Sequence, residues 1–429
     1  MHAKDLLEFC AASLQEVLKF DRPADAVLAH LLQDDRRKSR LGSRDRFAVT
    51  ETVFVVLRRR YLFEAFCQSA PKSAGQKFRR LALLGFPDSP EVFASVLTEE
   101  VGQWLLVCRA LDPYSEDSGL LDRHRHNLPD WIAEILREQL GPEFWPLVRS
   151  LDQQAPLDLR VNVLTTRRDA AIEELASHGI ACQSMPYSPW GLRLKAKPAL
   201  RRLAMFERGD IEVQDEGSQL LALLLEAKRG EMVVDFCAGA GGKTLALGAN
   251  MRNTGRLYAF DTSAHRLEAF KSRLGRSGLS NVHPVAIAHE RDERVKRLAG
   301  KIDRVLVDAP CSGLGTLRRH PDLKWRQTPE NVLKFAEQQR SILESASRLL
   351  KPGGRLIYAT CSLLPAENEA IAHDFSAQHP AFEPLEVADI LSGLKVQDPE
   401  SLCQGRFLQL WPHRHQTDAF FAAVWKRSE

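Results

Sequence analysis

The chain has 429 residues, of which 44% are hydrophobic and 27% charged, proportions that are usual for globular proteins. The net charge of +3 is too small to indicate a nucleic-acid partner, and no apolar run approaches the length of a membrane-spanning helix. The eight cysteines include no Cys-x-x-Cys pair, so the sequence fits neither a zinc ribbon nor a disulfide framework. Charged residues interrupt the first ten positions, which therefore do not form a signal peptide, and we expect a cytoplasmic protein.

Residues 1–145 are predicted to form a helical domain, because their apolar residues recur at helical rather than alternating spacing. Near its end, the stretch 128–151 predicts two helices separated by Gly141 and Pro142. Short basic clusters occur at residues 35–46, 57–60 and 317–320. Such clusters usually form solvated surfaces, and contact with a phosphate backbone is the alternative.

The pattern changes to mixed strands and helices over residues 150–228, which predict a small α+β segment. Over residues 229–429 strands alternate with helices, the signature of a doubly wound, Rossmann-like α/β domain with a parallel sheet. Its predicted strands are residues 231–237, 255–261, 281–287, 301–309 and 354–361. Two late strands, at residues 405–412 and 419–426, predict an antiparallel hairpin at one edge of the sheet.

The sequence DFCAGAGGKT (235–244) joins the first of these strands to a helix, at the edge where parallel sheets bind ligands. A phosphate-binding P-loop would need a glycine in place of Cys237, and a dinucleotide-binding turn would need one in place of Thr244. S-adenosylmethionine is the third ligand that such a turn can hold. Asp261 ends the second strand and can bind ribose hydroxyls, although an acid there can also simply begin a helix. The turn therefore indicates an adenosine-containing ligand without choosing one.

Two cysteines, Cys311 and Cys361, follow the carboxyl ends of two central strands. A thiolate at this edge suits methylation of carbon-5 of a pyrimidine, because its addition to carbon-6 makes carbon-5 nucleophilic. Asp308, three residues before Cys311, can hydrogen-bond or protonate N3 of the base, although it can also cap a turn. This chemistry leaves open which of the two cysteines attacks.

Several motifs in residues 155–429 resemble the bacterial Sun-type RNA cytosine-5 methyltransferases, in particular the ribosomal RNA small subunit methyltransferase B group. These motifs are DFCAGAGGKT, DAPCSGLG, RHPDLKW (319–325), LKPGGRLIYATCS and PHRHQTDAFFAA (412–423). PLDLRVN and VQDEGSQL resemble segments that precede the catalytic domain of that family. Residues 44–60 and 128–132 more weakly resemble its N-terminal, NusB-like RNA-binding domain. The resemblance implies a methyltransferase domain at 229–429 that uses S-adenosylmethionine.

The resemblance also implies roles for individual residues. Cys361, in the T-C-S motif, would be the nucleophile, and Cys311 would assist proton removal and product release. Asp308 would lie near both cofactor and base, and Asp261 would bind the cofactor ribose. Lys243 would contact the target nucleotide, although by itself it is an ordinary helix-start lysine. The methionine part of the cofactor would be held by Cys237, Ala238, Gly239, Ala240, Gly241, Gly242 and Lys243.

The loop departs from the family's usual A-A-P-G-G-K, because this chain has no proline there, which makes the turn more flexible but leaves its amides available. The acid that faces the adenine after the third strand is ambiguous between Glu290 and Asp292. His289 and His320 are expected at the surface or behind the site rather than as ligands. The HRH stretch at 413–415 lacks partners for a metal site, so no metal is expected.

The resemblance implies methylation of a cytosine in RNA, with 16S ribosomal RNA as the expected substrate, through a covalent bond between Cys361 and carbon-6. The same chemistry on transfer RNA is one alternative, and a non-catalytic RNA-binding or assembly factor is the other. In each case RNA is the expected partner. A self-contained catalytic domain further suggests a monomer.

Overall fold

The computed structural model describes residues 1–33 and 41–429, and the chain forms two compact units. We name them the helical unit, residues 1–154 and 317–328, and the sheet unit, residues 155–316 and 329–429. The chain therefore leaves the sheet unit after residue 316 and returns to it at Pro329. The predicted domain limits at 145 and 228 remain predictions.

Every regular element that the structure describes in the helical unit is helical, and fully buried side chains such as Leu14, Val53 and Leu81 form its core. The pair of helices predicted within 128–151 is confirmed, with a short helical turn at Gly141–Glu143 between them. The α-helices of this unit are Ala3–Val17, Ala24–Gln33, Ser43–Arg58, Arg60–Phe66, Lys77–Gly85, Ser89–Val92, Glu99–Ala110, Asp122–His126, Asp130–Leu140, Phe144–Leu151 and Leu323–Arg326.

Residues 317–328, which contain the whole RHPDLKW motif, are held in the helical unit by hydrogen bonds to its backbone. Trp325 Nε1 donates to the carbonyl of Leu57, and Lys324 Nζ donates to the carbonyl of Arg58, both at 2.8 Å. The Lys324 side chain is buried, and this burial lowers its pKa to about 7. The motif therefore contributes a structural segment to the helical unit.

The basic cluster at 57–60 is largely engaged inside the helical unit. The buried Arg58 donates to a carbonyl of the 317–328 segment, Arg59 pairs with Asp152, and Arg60 pairs with Glu64. These contacts leave little of the cluster free for phosphate. Of the cluster predicted at 35–46, residues 35–40 lie outside the described residues.

The sheet unit contains two sheets. The smaller sheet is antiparallel, with strand order β2-β3-β1-β4, and the larger one has nine strands. The strands are β1 (Leu157–Val161), β2 (Cys182–Ser184), β3 (Gly191–Leu194), β4 (Ile211–Val213), β5 (Met232–Asp235), β6 (Arg256–Asp261), β7 (Val282–Ala286), β8 (Ile302–Asp308), β9 (Leu350–Thr360), β10 (Phe382–Pro384), β11 (Cys403–Gln404), β12 (Phe407–Leu410) and β13 (Phe420–Arg427).

The larger sheet has the strand order β11-β12-β13-β9-β8-β5-β6-β7, with β10 paired to β13. Five of its strands, β7, β6, β5, β8 and β9, are parallel, with β7 at the edge. β13 joins β9 antiparallel and carries β12 beside it, so the predicted edge hairpin is confirmed. The strand order reverses between β5 and β8, and a crevice at such a reversal is where open α/β sheets bind ligands.

Helices flank this sheet, and its central strands are apolar on both faces because both are covered. Leu306 and Ile357 belong to one buried cluster, whereas their neighbours Val305 and Leu356 belong to the other. The predicted doubly wound α/β class with an N-terminal helical region is thus confirmed. The α-helices of the sheet unit are Arg168–Ser177, Ala204–Glu207, Glu216–Leu224, Gly242–Asn250, Ala264–Ser277, Glu293–Lys296, Pro329–Ser347, Glu369–Gln378, Val387–Gly393 and Pro412–His415. Within residues 1–33 and 41–429, no helix is at once long and apolar enough to cross a bilayer.

The last parallel strand differs from its prediction at one end. β9 begins at Leu350, whereas the sequence predicted a start at residue 354. Leu350 pairs with Ile302 but Arg355 pairs with Arg304, so the intervening residues bulge out of the ladder. Pro352, Gly353 and Gly354 are residues that usually interrupt regular structure, and the bulge accommodates them within the strand.

Candidate functional site

The residues predicted to be functional lie where β5, β6, β8 and β9 end. Asp308 is the last residue of β8, and Asp235, which was not predicted to be functional, is the last residue of β5; the strand order reverses between these two strands. Asp261 ends β6, and Cys361 directly follows β9. One edge of the sheet therefore carries all the candidate side chains.

The loop from Cys237 to Lys243 connects β5 to the helix Gly242–Asn250. Gly241 precedes this helix at φ +78°, and a Cβ added to it would lie 2.0 Å from a ring carbon of Phe270. Gly239, at φ +55°, instead faces open space, since a Cβ there would meet no described atom within 4 Å. One glycine thus lets the loop pack tightly, and the other leaves room beside amides at the helix start, where negatively charged groups bind.

Asp261 fixes this loop from the neighbouring strand. Its carboxylate is buried and accepts one hydrogen bond from the amide of Gly239 (2.8 Å) and another from the amide of Ser263 (2.7 Å). A carboxylate can accept about four hydrogen bonds, so Asp261 retains acceptor capacity for ribose hydroxyls. The structure brings Asp261 and the glycine-rich loop together.

Lys243 and Asp308 form an ion pair with 2.6 Å between Nζ and Oδ2. The Lys243 side chain is 12% exposed and that of Asp308 is 27% exposed. Burial disfavours the charge on Lys243, but the attraction of Asp308 outweighs it, so the pKa of Lys243 is raised. Lys243 Nζ also lies 5.5 Å from the centre of the Phe420 ring. The ammonium is therefore held in its protonated form, close enough to Cys361 for that residue also to favour its charge.

The Sγ atoms of Cys311 and Cys361 are 3.4 Å apart, which is hydrogen-bond distance for two thiols. Both side chains are partly exposed. The hydrogen bond with Cys361, together with burial, raises the pKa of Cys311 well above its ordinary value. The amide of Gly315, in the loop after Cys311, also donates to the carbonyl of Cys361 (2.8 Å). The two cysteines are thus a chemically unequal pair, in which Cys311 retains its proton.

Two buried acids at this edge were not singled out from the sequence. Burial raises the pKa of Asp235 to about 7, although its hydrogen bond from Thr244 Oγ1 (2.6 Å) acts in the opposite direction. Glu367 is fully buried and accepts hydrogen bonds from the serines that follow the two cysteines. The position of Asp235 at a strand end was a usable signal, whereas Glu367 resembles an ordinary acid before a helix.

The other polar candidates have structural contacts. Asp292 caps a short helix and accepts from the amides of Ala288 and Arg294, and Glu290 accepts from Ser341 Oγ. The adenine-facing acid therefore stays unassigned. Among the residues the structure describes, no group of three or more His, Cys, Asp or Glu side chains could hold a metal ion.

Comparison with known proteins shows similarity over the whole chain. A family model described as 16S rRNA methyltransferase RsmB/F matches residues 222–426, and one for the ferredoxin-like domain of RsmF/B-like methyltransferases matches residues 128–201. The probable ribosomal RNA small subunit methyltransferase B of Synechocystis sp. is 32% identical over 97% of this chain and 98% of its own. The crystal structure of PH0851 covers 100% of this chain and 99% of its own, with 25% identity and a TM-score of 0.77. A methyltransferase homologue from Pyrococcus horikoshii covers 71% of this chain and 97% of its own, with 27% identity and a TM-score of 0.61.

Proposed function

This chain belongs to the 16S rRNA methyltransferase RsmB/F family, as its motifs predicted, and we propose that it methylates carbon-5 of a cytosine in RNA. The observation that carries the proposal is the pair of thiols, Cys311 and Cys361, 3.4 Å apart beside the Lys243–Asp308 ion pair. This arrangement provides a nucleophile, a second sulfur that can carry a proton, and a proton donor at one strand edge. Methylation of carbon-5 needs these three functions.

We infer that the methyl donor is S-adenosylmethionine, whose positively charged sulfur supplies an electrophilic methyl group when the cofactor is bound. The residues present fit this molecule. Open space at Gly239 and the amides at the start of the helix Gly242–Asn250 suit its methionine carboxylate. The remaining acceptor capacity of Asp261 suits its ribose hydroxyls.

Cys361 attacks carbon-6 of the cytosine as the thiolate, and Cys311 stabilises that thiolate by donating its S–H across the 3.4 Å contact. The raised pKa of Cys311 keeps the proton available for this role. Once the sulfur of Cys361 is bonded to carbon-6, its charge no longer holds Cys311 protonated. Cys311 can then lose its proton to solvent and, once carbon-5 carries the methyl group, accept the proton from carbon-5. Cys361 then leaves carbon-6 as the thiolate, which releases the product.

Asp308 assists the attack at the other side of the base. Negative charge develops on N3 of the cytosine when the thiolate adds, and a proton donor at N3 stabilises it. The Lys243 ammonium is the source of this proton: it passes the proton to the Asp308 carboxylate across their 2.6 Å hydrogen bond, Asp308 hands it on to N3, and the proton returns by the same route when the product is released. The raised pKa of Lys243 keeps that ammonium protonated at neutral pH. Lys243 and Asp308 therefore act as one proton-donating pair.

The test is transfer of labelled methyl from S-adenosylmethionine to RNA by the wild type and by single Cys→Ser variants. Cys361→Ser should lose the activity, whereas Cys182→Ser, which removes a partly buried thiol on the small sheet, should keep it. Cys311→Ser should accumulate a protein–RNA adduct that survives denaturation. Full activity in Cys361→Ser, or no adduct in Cys311→Ser during turnover, would overturn the assignment of the two sulfurs.

We propose small-subunit ribosomal RNA as the substrate, because the Synechocystis relative that spans this chain carries that name. Purified 16S ribosomal RNA and bulk transfer RNA should be offered separately, and the methylated cytosine located by bisulfite sequencing. Methylation of 16S ribosomal RNA alone is the expected result. Methylation confined to transfer RNA would replace the substrate while leaving the chemistry intact, and failure to bind S-adenosylmethionine would favour a non-catalytic RNA-binding factor.

A further inference from the structure

Glu367 is a fully buried acid whose carboxylate accepts four hydrogen bonds. Its Oε1 accepts from the amide of Ser312 (2.8 Å) and from Gln339 Nε2 (3.1 Å). Its Oε2 accepts from the hydroxyls of Ser312 (2.6 Å) and Ser362 (2.5 Å). These four donors match the roughly four lone-pair positions of a carboxylate. A single side chain thus fixes groups from three separate segments of the chain.

Three of these four bonds reach the residues next to the reactive sulfurs. Ser312 directly follows Cys311, and Ser362 directly follows Cys361. The two serine hydroxyls lie 3.1 Å apart and share the same carboxylate oxygen, in parallel with the two sulfurs at 3.4 Å. A shift of Glu367 would therefore move one cysteine loop relative to the other.

Glu367 is itself held firmly on the β9 side of the site. The buried Tyr358 hydroxyl donates to the Glu367 carbonyl at 2.6 Å, and Thr360 Oγ1 donates to Asn368 Oδ1 at 2.5 Å. Asn368 Nδ2 in turn donates to the carbonyl of Ser362 (3.1 Å). The segment after Cys361 is thus closed into a rigid loop, and the Glu367 carboxylate extends from this loop to the one that carries Cys311.

We propose that Glu367 is a positioning residue that sets the distance between the two sulfurs. The role of that distance in catalysis rests on the proposed function. Both sulfurs are needed beside carbon-5 and carbon-6 of the cytosine only if one sulfur attacks carbon-6 and the other removes the carbon-5 proton. Glu367 touches neither sulfur, and it acts through Ser312 and Ser362. The hydrogen bond from the Gly315 amide to the Cys361 carbonyl does not involve Glu367. Loss of the Glu367 side chain should therefore let the two cysteine loops shift relative to each other while this bond keeps them together.

The distance can be measured without turnover, using dibromobimane, which becomes fluorescent when it has alkylated two neighbouring thiols. Wild-type protein should be bridged quickly, and Cys311→Ser gives the background from all other thiols. Glu367→Ala should be bridged more slowly than wild type. Glu369→Ala is the matched control, because Glu369 lies two residues away and is partly buried without bonding to either serine.

The kinetic arm separates positioning from folding. Glu367→Ala should lower kcat by about 100-fold, as small misplacements of reacting groups do, with the KM for RNA unchanged. Glu367→Gln keeps the shape and one acceptor oxygen, so it should recover part of both kcat and bridging. If Glu367→Ala does not fold, Ser362→Ala, which removes one of the bonds to Glu367, should show the same two effects at smaller size.

The proposal would be overturned if Glu367→Ala had the bridging rate and kcat of the wild type. It would also be overturned if Glu369→Ala lost as much of the bridging rate and kcat as Glu367→Ala. The outcome for the proposed function is read separately. If the wild type is bridged but transfers no methyl to any RNA, the proposed function fails, whereas a slower bridging rate in Glu367→Ala would still establish the positioning.

Discussion

Replacing Asp235 by asparagine should stabilise the sheet unit at alkaline pH and much less so at acid pH. Asp235 ends β5 and is 1% exposed, and burial raises its pKa from 3.8 to about 7. Ionising this carboxylate therefore costs more in the folded than in the unfolded protein. Asparagine keeps an oxygen that can accept the hydrogen bond from Thr244 and carries no charge.

The size of the effect follows from the shift. A rise of about three pKa units corresponds to about 4 kcal/mol of unfolding free energy once Asp235 is ionised in both states. Between pH 3.8 and about 7 the folded protein binds more protons at this site than the unfolded one, so stability falls as pH rises through that window. The loss is complete above pH 7. Between about pH 5 and about pH 8, the difference between Asp235→Asn and wild type should grow by about 2 to 3 kcal/mol.

Urea unfolding at several pH values in this range measures that growth directly. Asp389→Asn provides the matched control, because Asp389 is an exposed carboxylate of the same unit. Its difference from wild type should stay nearly constant with pH. A constant difference for Asp235→Asn as well would refute the reasoning, since it would mean that Asp235 is ionised in the folded protein as readily as in the unfolded one.

Three further results are expected from urea unfolding, combined in one case with calorimetric measurement of cofactor binding. Lys243→Met and Asp308→Asn should each lower the free energy of unfolding in urea by about 3 kcal/mol, because each leaves the other charge of a largely buried pair uncompensated. The double variant leaves no such charge, so it should lose less than the sum of the two single losses. Gly241→Ala should lower stability, because its Cβ would clash with the Phe270 ring, whereas Gly239→Ala, also at positive φ but in open space, should cost only about 1 kcal/mol of strain and should lower S-adenosylmethionine affinity, measured by calorimetry, because its methyl group enters the space proposed for the methionine carboxylate. Lys324→Met should raise stability relative to wild type most below pH 7, where the buried wild-type amine carries its charge. The gain should shrink as the pH rises above 7, because the amine then loses its proton in the folded protein. A gain that does not change with pH would contradict this reasoning.

Much of the fold could be predicted because local patterns and tertiary structure agree. Three of the parallel strands, β5, β6 and β8, are apolar runs that end at an aspartate, and each of the five predicted runs forms one parallel strand. β9 shows where this fails, since pairing with β8 extends the strand across a proline and two glycines before Arg355, residues that usually interrupt regular structure. The segment 317–328 shows a second limit. Its motif lies inside the catalytic sequence, but its hydrogen bonds are to residues about 260 positions earlier, which no local pattern reveals.

The proximity of Cys311 and Cys361 follows from the sequence in the same way. Both cysteines follow strand ends, and a separation of fifty residues is one crossover between neighbouring parallel strands. Their difference does not follow, because it arises from burial and from the contact between the two sulfurs, which exist only when the loops are in register. The proposed control of that register lies with Glu367, whose bonds to Ser312 and Ser362 span 55 and 5 residues. The proposed division between attack and release would therefore be a property of two folded loops, and a variant that shifts one loop should weaken it even with both cysteines intact.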